Sequence, residues 1–321
     1  MPANVLCLSP WPEELVEGFF AGRADVAISY APEPPAPDEV RALARETDVV
    51  IGDQRHKHKL DRPVLEAMTR CRLIQMPSVG FDVVDHRAAA ELGIPVANAA
   101  GYNRDAVADW VVMAMLNLIR FGAYADRRLR AGVWSRSEVL GHELGALTIG
   151  IVGFGNVGSS VASRLRAFGC RIVYTDIVPR SFSGAEQVSF ERLLEVSDIV
   201  SVHTPLDHDT RGLLGADAFS KMRKGAILIN AARGPVVDEQ ALIAALEAGH
   251  LGAAGLDVFE MEPLSTDSPL LEMENVFLSP HMGGATREAE ARVHTVVKEN
   301  VNRVLDGLPP FNVVNGVTLG Q

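Results

Sequence analysis

The stretch GIVGFGNVG at residues 150–158 decides the predicted fold, because it places Gly153, Gly155 and Gly158 in the spacing G-x-G-x-x-G. The apolar run LTIGIVG leads into the glycines, and a segment with helical periodicity follows them. In this setting the first glycine permits a tight turn, the second lets a pyrophosphate approach the backbone, and the third lets the helix pack on the strand. The stretch therefore predicts a dinucleotide-binding turn whose helix N-terminus faces the phosphates.

An acidic residue ends the strand that is predicted after this turn. Asp176 closes the run RIVYTD, 18 residues after Gly158, where a carboxylate can accept hydrogen bonds from an adenosine ribose. A carboxylate at this position repels a 2′-phosphate, so we predict NAD rather than NADP as the cofactor. Arg180 lies four residues further on, and its positive charge would weaken that preference.

Apolar runs alternate with helix-like segments along the chain, which indicates parallel strands joined by right-handed crossovers. The predicted strands are 4–8, 24–30, 48–52, 72–76 and 94–98 in a first set, and 147–153, 171–176, 198–203, 226–230, 253–259 and 275–280 in a second. A helix at 106–119, apolar nearly all round, lies between the sets, and the last helix is expected to return to the first set. We therefore predict an α/β protein with two doubly wound parallel-sheet domains. These are a Rossmann dinucleotide-binding domain at 101–286 and a smaller, flavodoxin-like substrate domain formed by 1–100 and 287–321.

Composition and charge argue against several other classes of protein. The chain has 321 residues, 47% hydrophobic and 22% charged, which is typical of a globular protein with room for two domains. Its net charge of -11 argues against nucleic acid or an anionic membrane as the main partner. The three cysteines are too few and too scattered for a disulfide framework or a zinc site, so we expect no metal and a reducing, cytoplasmic location. The N-terminus lacks the basic start of a signal peptide, and the uncharged run 144–165 fits a strand, a glycine turn and a helix better than a membrane span.

Three ionisable residues follow the last three predicted strands of the second set, namely Arg233, Glu262 and His281. The carboxyl ends of parallel strands meet at one edge of a sheet, so these side chains can converge over one crevice. A guanidinium binds a carboxylate at two points and polarises a neighbouring carbonyl, while an imidazole oriented by a carboxylate gives or takes a hydroxyl proton. Beside a nicotinamide, which carries the hydride, this set of residues predicts the interconversion of a hydroxy acid and a keto acid.

These residues stand in motifs through which the chain resembles the D-isomer-specific 2-hydroxyacid dehydrogenases. The patterns N-x-x-R-G, D-V-F-x-x-E-P and P-H-x-G-G follow one another in INAARGPVVDEQAL, GLDVFEMEP and LSPHMGG. SVGFDVVD, NAAGYNRDAVAD and DIVSVHTPLDHDTRGLL are similar to the family as well, so the resemblance spans nearly the whole chain. It implies an NAD-dependent oxidoreductase that interconverts a small 2-keto acid and a D-2-hydroxy acid.

The resemblance also implies roles for individual residues. Arg233 matches the arginine that binds the substrate, and Glu262 and His281 match the acid–base pair. The backbone of Val79 and Gly80 matches the carboxylate-binding loop of the substrate domain. The implied cofactor contacts are Gly153, Gly155, Asn156, Val157, Gly158, Asp176, Thr204, Pro205, Ala231, Asp257 and Gly283, with Asp257 on the nicotinamide amide. The apolar helix at 106–119 and the charged arm after it match the family's dimer-forming region, so a homodimer is expected.

The substrate stays open among glyoxylate, hydroxypyruvate, 3-phosphoglycerate and other 2-keto or 2-hydroxy acids. Met76 and Val83 stand where phosphoglycerate dehydrogenases tend to have Arg and Asn, which weakens phosphoglycerate as the substrate. The basic cluster Arg55–Lys59 either reaches a phosphate or second carboxylate, or is a solvated loop.

Two alternative functions share this scaffold. Formate dehydrogenases pair the histidine with Gln, and Glu262 argues against them. NADH-sensing corepressors of the C-terminal-binding-protein type keep the three ionisable residues but act as binding proteins, so these residues do not separate them from an enzyme.

Overall fold

The computed structural model describes residues 2–32, 36–134, 136 and 139–318. The chain divides into two units: unit 1 consists of Met1–Asn103 with Arg287–Gln321, and unit 2 consists of Arg104–Thr286. Each unit contains one parallel β-sheet with helices between its strands, so the predicted α/β class with two parallel sheets is confirmed.

Unit 1 is built around five parallel strands. The strands are β1 Ala3–Cys7, β2 Val26–Tyr30, β3 Val49–Ile51, β4 Leu73–Gln75 and β5 Val96–Ala97. The helices are α1 Glu13–Phe19, α2 Pro37–Ala44, α3 Arg62–Ala67, α4 His86–Glu91 and α11 Arg287–Leu305. The strand order β2-β1-β3-β4-β5 is that of the flavodoxin-like doubly wound fold.

Burial explains why these segments form strands and helices. The residues of β3 and β4 are buried throughout, as expected for parallel strands that are covered on both faces. α11 contributes Val293, Val297 and Val301, four residues apart, to the core on one face of this sheet. Asp61 and Asp85 cap α3 and α4 by accepting a hydrogen bond from a backbone amide of the first turn.

Unit 2 is built around a seven-stranded parallel sheet. The strands are β6 Thr148–Val152, β7 Arg171–Thr175, β8 Glu186–Gln187, β9 Ile199–Val202, β10 Ala226–Asn230, β11 Leu251–Leu256 and β12 Val276–Leu278. The helices are α5 Arg104–Ile119, α6 Gly122–Arg130, α7 Asn156–Leu165, α8 Phe190–Val196, α9 Ala216–Lys221 and α10 Glu239–Glu247. Short 3₁₀ helices occupy Leu144–Ala146, Arg166–Phe168, Gly234–Val236 and Pro269–Leu271.

The strand order of unit 2 is β12-β11-β10-β9-β6-β7-β8. The chain winds outwards in one direction through β6, β7 and β8 and in the other through β9 to β12, so the order reverses between β6 and β9. In doubly wound proteins the loops after two such strands diverge at the carboxyl edge of the sheet, and ligands bind in the crevice between them.

Eight of the 16 residues of the apolar helix α5 are buried within unit 2, whereas Met113 is 45% exposed. Val111, Ala114 and Met115 are 0% exposed, and the helix packs against α7 and the strands β10 to β12. No single helix of the described residues is long and apolar enough to cross a membrane. By length and composition alone, α5 and α6 together pass that test, but they are bent by 61°.

β8 is the one strand of the described residues that hydrophobic patterning does not predict. Its two residues, Glu186 and Gln187, are polar and exposed, so the strand depends on pairing with β7 rather than on burial. The predicted strand 253–259 also ends earlier than expected, because β11 stops at Leu256. Asp257 and the residues after it form the loop that carries Glu262.

Candidate active site

The glycine-rich turn lies at the switch point between β6 and β9. Gly153 has φ +88°, and a Cβ atom on it would lie 2.8 Å from the carbonyl of His203 at the end of β9. A Cβ on Gly158 would overlap the carbonyl oxygen of Gly153, whereas one on Gly155 would meet nothing within 4 Å. The first and third glycines thus permit close backbone packing, and the second borders open space that a phosphate can enter.

The start of α7 forms one wall of a polar cavity. The helix begins at Asn156, followed by Val157, so the first amides of its ten residues have no partner within the helix. A cavity of about 390 Å³ lies between residues 154–159 and 179–182. Helix N-termini attract anions because of these free amides and the helix dipole. The cavity therefore fits the phosphates of a dinucleotide.

Asp176 follows β7 and is held by the turn that it borders. Its Oδ2 accepts a hydrogen bond from Phe154 N at 2.7 Å, and its Oδ1 accepts one from Val178 N at 2.8 Å. Arg180 Nε lies 3.4 Å from Oδ2. Burial raises the pKa of the Asp176 carboxyl, but the two amides and Arg180 outweigh burial, so the pKa lies below its usual value. The carboxylate is thus ionised, and it ties β7 to the glycine turn.

The loop after β9 contains Thr204 and Pro205 and borders the same turn. A Cβ on Gly153 would lie 3.0 Å from Thr204 Cγ2, and Thr204 Oγ1 is buried without a hydrogen-bond partner among the described residues. A buried hydroxyl of this kind fits a ligand that supplies the missing partner. Burial lowers the pKa of the neighbouring His203 to about 3, so this histidine is neutral near pH 7.

Arg233 is placed by the buried amide side chain of Asn230, the last residue of β10. Asn230 is 1% exposed; its Oδ1 accepts from Ala232 N at 3.1 Å and its Nδ2 donates to Arg233 O at 3.0 Å. Partly buried Ala231 lies inside this loop. A Cβ on Gly234 would overlap the carbonyl of Phe259, so glycine lets the loop approach the segment that carries Glu262.

Glu262 and His281 are in direct contact. Glu262 Oε2 lies 2.7 Å from His281 Nδ1, and Glu262 Oε1 accepts from Phe259 N at 3.1 Å. Burial raises the pKa of Glu262, but the hydrogen bond and charge of His281, with smaller contributions from Phe259 N and Arg233, bring the pKa below its usual value. The structure thus brings a carboxylate and an imidazole into contact after β11 and β12, and the charge of Arg233, after β10, acts on the same carboxylate.

Asp257 lies beneath this pair and is 2% exposed. Its Oδ1 accepts from Met282 N at 2.8 Å, and its Oδ2 accepts from Gly283 N at 2.7 Å. Position 283 leaves little room for a side chain, because a Cβ on Gly283 would lie 2.8 Å from Asp257 Oδ2. Ser279 Oγ also donates to Asp257 Oδ1, at 2.5 Å. The carboxylate therefore binds the segment that carries His281.

Two carbonyl groups of the loop Ser78–Gly80 in unit 1 accept hydrogen bonds from side chains. Ser78 Oγ donates to Gly80 O at 2.6 Å, and Asn98 Nδ2 donates to Val79 O at 2.7 Å. Within the described part of the chain, the amides of Val79 and Gly80 donate no hydrogen bond. Two neighbouring amides of this kind can receive an anionic oxygen.

The basic cluster Arg55–Lys59 does not form a single surface. His58 is buried, and its Nδ1 lies 2.9 Å from Asp53 Oδ2, whereas His56 Nε2 lies 3.0 Å from Ser78 Oγ. The remaining members, Arg55, Lys57 and Lys59, are exposed. One histidine of the cluster thus stabilises its own loop, and the other supports the Ser78–Gly80 loop.

Two supporting residues were not predicted from the sequence as parts of the site. Asn230 is visible in the sequence only as the first letter of N-x-x-R-G, and Ser279 only as the serine before Pro280. The sequence signal that marks both is a polar residue at the end of an otherwise apolar run. Such a residue is expected to be buried with a specific hydrogen-bond partner.

Comparison with known proteins agrees with this arrangement. Residues 112–283 match the family described as D-isomer specific 2-hydroxyacid dehydrogenase, NAD binding domain. The chain is 36% identical over 316 residues to a D-3-phosphoglycerate dehydrogenase of Archaeoglobus fulgidus, covering 97% of this chain and 59% of that protein. It is 40% identical over 264 residues to a glyoxylate reductase of Korarchaeum cryptofilum, covering 80% of each chain. A crystal structure of D-lactate dehydrogenase from Aquifex aeolicus with NAD and lactic acid is similar, with a TM-score of 0.86 and 29% identity, covering 99% of this chain and 100% of that one.

A glycine turn at the switch point and a carboxylate–imidazole pair at the same sheet edge are typical of nicotinamide-dependent oxidoreductases, and the matched family is described as an NAD binding domain. The chain belongs to the D-isomer-specific 2-hydroxyacid dehydrogenase family. It spans about three fifths of the phosphoglycerate dehydrogenase that it matches, 59% of its length, and 80% of the glyoxylate reductase.

Proposed function

We propose that the protein reduces a small 2-keto acid to the D-2-hydroxy acid, and catalyses the reverse oxidation, with NAD as the cofactor. The observation that carries this proposal is the 2.7 Å contact between Glu262 and His281 at the same sheet edge as Arg233. A carboxylate, an imidazole and a guanidinium together can bind an α-keto acid and transfer one proton to its carbonyl oxygen.

His281 is the proposed proton donor in reduction and the proton acceptor in oxidation. Its Nδ1 is engaged by Glu262, which leaves Nε2 as the ring nitrogen for the substrate oxygen. The Glu262 carboxylate orients the ring and stabilises the imidazolium, because its own pKa lies below the usual value and it is ionised. NAD supplies the hydride acceptor in oxidation, and NADH supplies the hydride in reduction.

Arg233 and the Val79–Gly80 amides are the proposed carboxylate-binding groups. A planar guanidinium binds a carboxylate at two points and can polarise the adjacent carbonyl, which a point charge cannot do equally well. The two amides of unit 1 donate no hydrogen bond to another described residue, which supports the carboxylate-binding role that the family resemblance implies for them.

The proposed cofactor site follows the carboxyl edge of unit 2. The glycine turn with Asn156 and Val157 receives the phosphates, and Asp176 receives the adenosine ribose. Thr204, Pro205 and Ala231 line the path to the nicotinamide, where Asp257 and Gly283 lie. Supporting observations are the open space at Gly155 and the unsatisfied hydroxyl of Thr204.

The substrate that we favour is glyoxylate or hydroxypyruvate rather than 3-phosphoglycerate. Met76 is 0% exposed, and Val83 packs against the core of unit 1. Neither position therefore offers a charged or amide group to a phosphate. One relative, which matches across 80% of both chains, is named a glyoxylate reductase, and we extend that activity to this chain only as part of the proposal.

We also propose that the protein is a homodimer formed through α6 and the segment after it. Large apolar side chains are exposed there: Phe121 at 40%, Leu129 at 58%, Trp134 at 79% and Leu140 at 92%. Exposed apolar groups of this size are typical of an interface. Light scattering after size-exclusion chromatography tests this proposal, and a monomer at micromolar concentration contradicts it.

The function is tested by following NADH oxidation at 340 nm with a panel of acids, namely glyoxylate, hydroxypyruvate, pyruvate and 3-phosphohydroxypyruvate, with NADPH in parallel. NAD reduction by formate tests the formate dehydrogenase alternative. Rapid turnover of one keto acid is expected. A protein that binds NADH tightly but turns over none of the acids would be the corepressor-like binding protein instead.

A further inference from the structure

The backbone at His281 adopts a conformation that side-chain-bearing residues rarely take. His281 has φ +53°, which lies in the left-handed region and is costly for a residue with a Cβ. Pro280 precedes it and has no amide to stabilise the turn. Such a conformation persists only where the surrounding contacts hold it, so the contacts of the turn Ser279–Gly283 determine where the imidazole lies.

Asp257 supplies most of these contacts. Its backbone carbonyl accepts from His281 N at 2.8 Å, and its carboxylate accepts from Met282 N at 2.8 Å and Gly283 N at 2.7 Å. The residue thus binds three consecutive amides of the turn, with His281 at their start. Rotation of the carboxylate about its side-chain bonds would break two of these hydrogen bonds together.

Ser279 is the group that fixes this rotation. Its amide donates to Leu256 O at 3.0 Å, which anchors it beside β11, and its hydroxyl donates to Asp257 Oδ1 at 2.5 Å. Oδ1 therefore receives both Ser279 Oγ and Met282 N, while Oδ2 is left for Gly283 N. Hydrogen bonds to an ionised acceptor are short and strong, and a buried carboxylate needs several of them.

We propose that Ser279 is a positioning residue for the reaction: through Asp257 it sets the orientation of the His281 ring relative to Glu262. This inference rests on the proposed function, because it concerns the proton-transferring group of that function. It gives Asp257 a role in addition to the predicted contact with the nicotinamide amide. It also explains why a hydroxyl, and not only a small residue, stands before Pro280.

The variant Ser279→Ala removes the hydroxyl and leaves the backbone contacts in place. We expect kcat for keto-acid reduction to fall about tenfold, because small displacements of a catalytic group lower the rate strongly. We expect the KM for the keto acid to stay within about twofold of the parent, because Arg233, the proposed carboxylate-binding group, is not altered. Ser279→Thr keeps a hydroxyl and should recover most of the lost kcat.

Ser197→Ala is the matched control in the same unit. Its hydroxyl is also buried and donates to Leu193 O at 2.6 Å, at the end of α8. The control should lower the melting temperature without changing kcat. If Ser279→Ala behaves like the control, or if Ser279→Thr fails to recover kcat while its melting temperature matches the parent, the positioning role is refuted.

A second measurement is independent of turnover. The chain has nine histidines, and ¹⁵N labelling of their rings gives a spectrum in which the His281 signals are assigned by their loss in His281→Gln. Ser279→Ala should shift the His281 Nδ1 signal, because the contact with Glu262 changes. An unchanged signal refutes the inference even in a protein that is inactive on the acid panel, whereas inactivity of the parent refutes only the proposed function.

Discussion

Replacing Glu262 with Gln tests how far keto-acid reduction depends on the carboxylate beside His281. The two groups lie 2.7 Å apart, and their side chains are 36% and 48% exposed. Opposite unit charges at this distance attract by about 1.5 kcal/mol in the dielectric of water, which corresponds to about a tenfold change in an equilibrium constant. Because both groups are partly exposed, screening lowers this value, and we expect Glu262→Gln to lose about three- to tenfold in kcat/KM for reduction on the alkaline limb of the profile.

The direction of the shift follows from the charges. Reduction uses the imidazolium, and Glu262→Gln removes the negative charge that stabilises it, so the alkaline limb of the reduction profile should move to lower pH. Oxidation uses the neutral ring and should extend to lower pH by the same amount. The pKa of Glu262 is lowered in the folded protein, so the carboxylate is ionised above its usual value of about 4.3 and is lost only as the pH falls through the folded value. Its own titration therefore lies well below the limb that is measured.

The assay is kcat/KM against pH in both directions for the parent and for Glu262→Gln. Glu260→Gln is the control, because Glu260 is exposed, lies two residues away and has the same charge. Superimposable profiles for the parent and Glu262→Gln would show that the carboxylate does not act on His281. An equal shift in the Glu260 variant would mean that the effect is long-range and not due to the contact.

Three further substitutions test the other roles. His281→Ala should lower keto-acid reduction by about 100-fold or more with little change in NADH affinity by fluorescence titration, and near-normal turnover would exclude it as the acid. Arg233→Lys should lower kcat/KM nearly as much as Arg233→Ala, because an ammonium cannot bind a carboxylate at two points. Parental kinetics for the lysine variant would show that Arg233 acts only as a distant charge. Asp176→Ala should lower the ratio of kcat/KM with NADH to kcat/KM with NADPH, because it removes the charge that repels the 2′-phosphate and releases Arg180 from its ion pair with Asp176. A parent that prefers NADPH would contradict this role of Asp176.

The fold was largely predictable because its signals are local. The strands with buried residues appear as apolar runs, and the turn at Gly153–Gly158 appears as a spacing that few other structures require. β8 was not predictable, because Glu186 and Gln187 carry no hydrophobic signal and form a strand only beside β7. The ends of strands were also hard to predict. Asp257 follows the last residue of β11, and its carboxylate binds the amides of a turn that is distant in sequence.

The ionisable residues of the site could be predicted from the sequence, but the groups that form hydrogen bonds with them or with their loops could not. The letters RHKHK suggest one basic surface, yet His58 is buried on Asp53 while its neighbours Lys57 and Lys59 are exposed. Which way each side chain faces depends on the carboxylate of Asp53, which also accepts the amides of Lys57 and His58. Hydrogen bonds of this kind are set by the folded loop and leave no periodic pattern in the sequence.

Each ionisable residue of the site is held by a buried polar group or by a backbone amide. Asn230 holds the backbone of Arg233, Phe259 N binds Glu262, and Asp257 binds the turn of His281. The backbone and side-chain amides among these groups do not titrate near neutral pH. Changes in pH should therefore alter the charge of the imidazole without moving its backbone. The ionisable side chains of the site follow the strand ends, and the hydrogen bonds of the groups beneath them fix where these side chains lie.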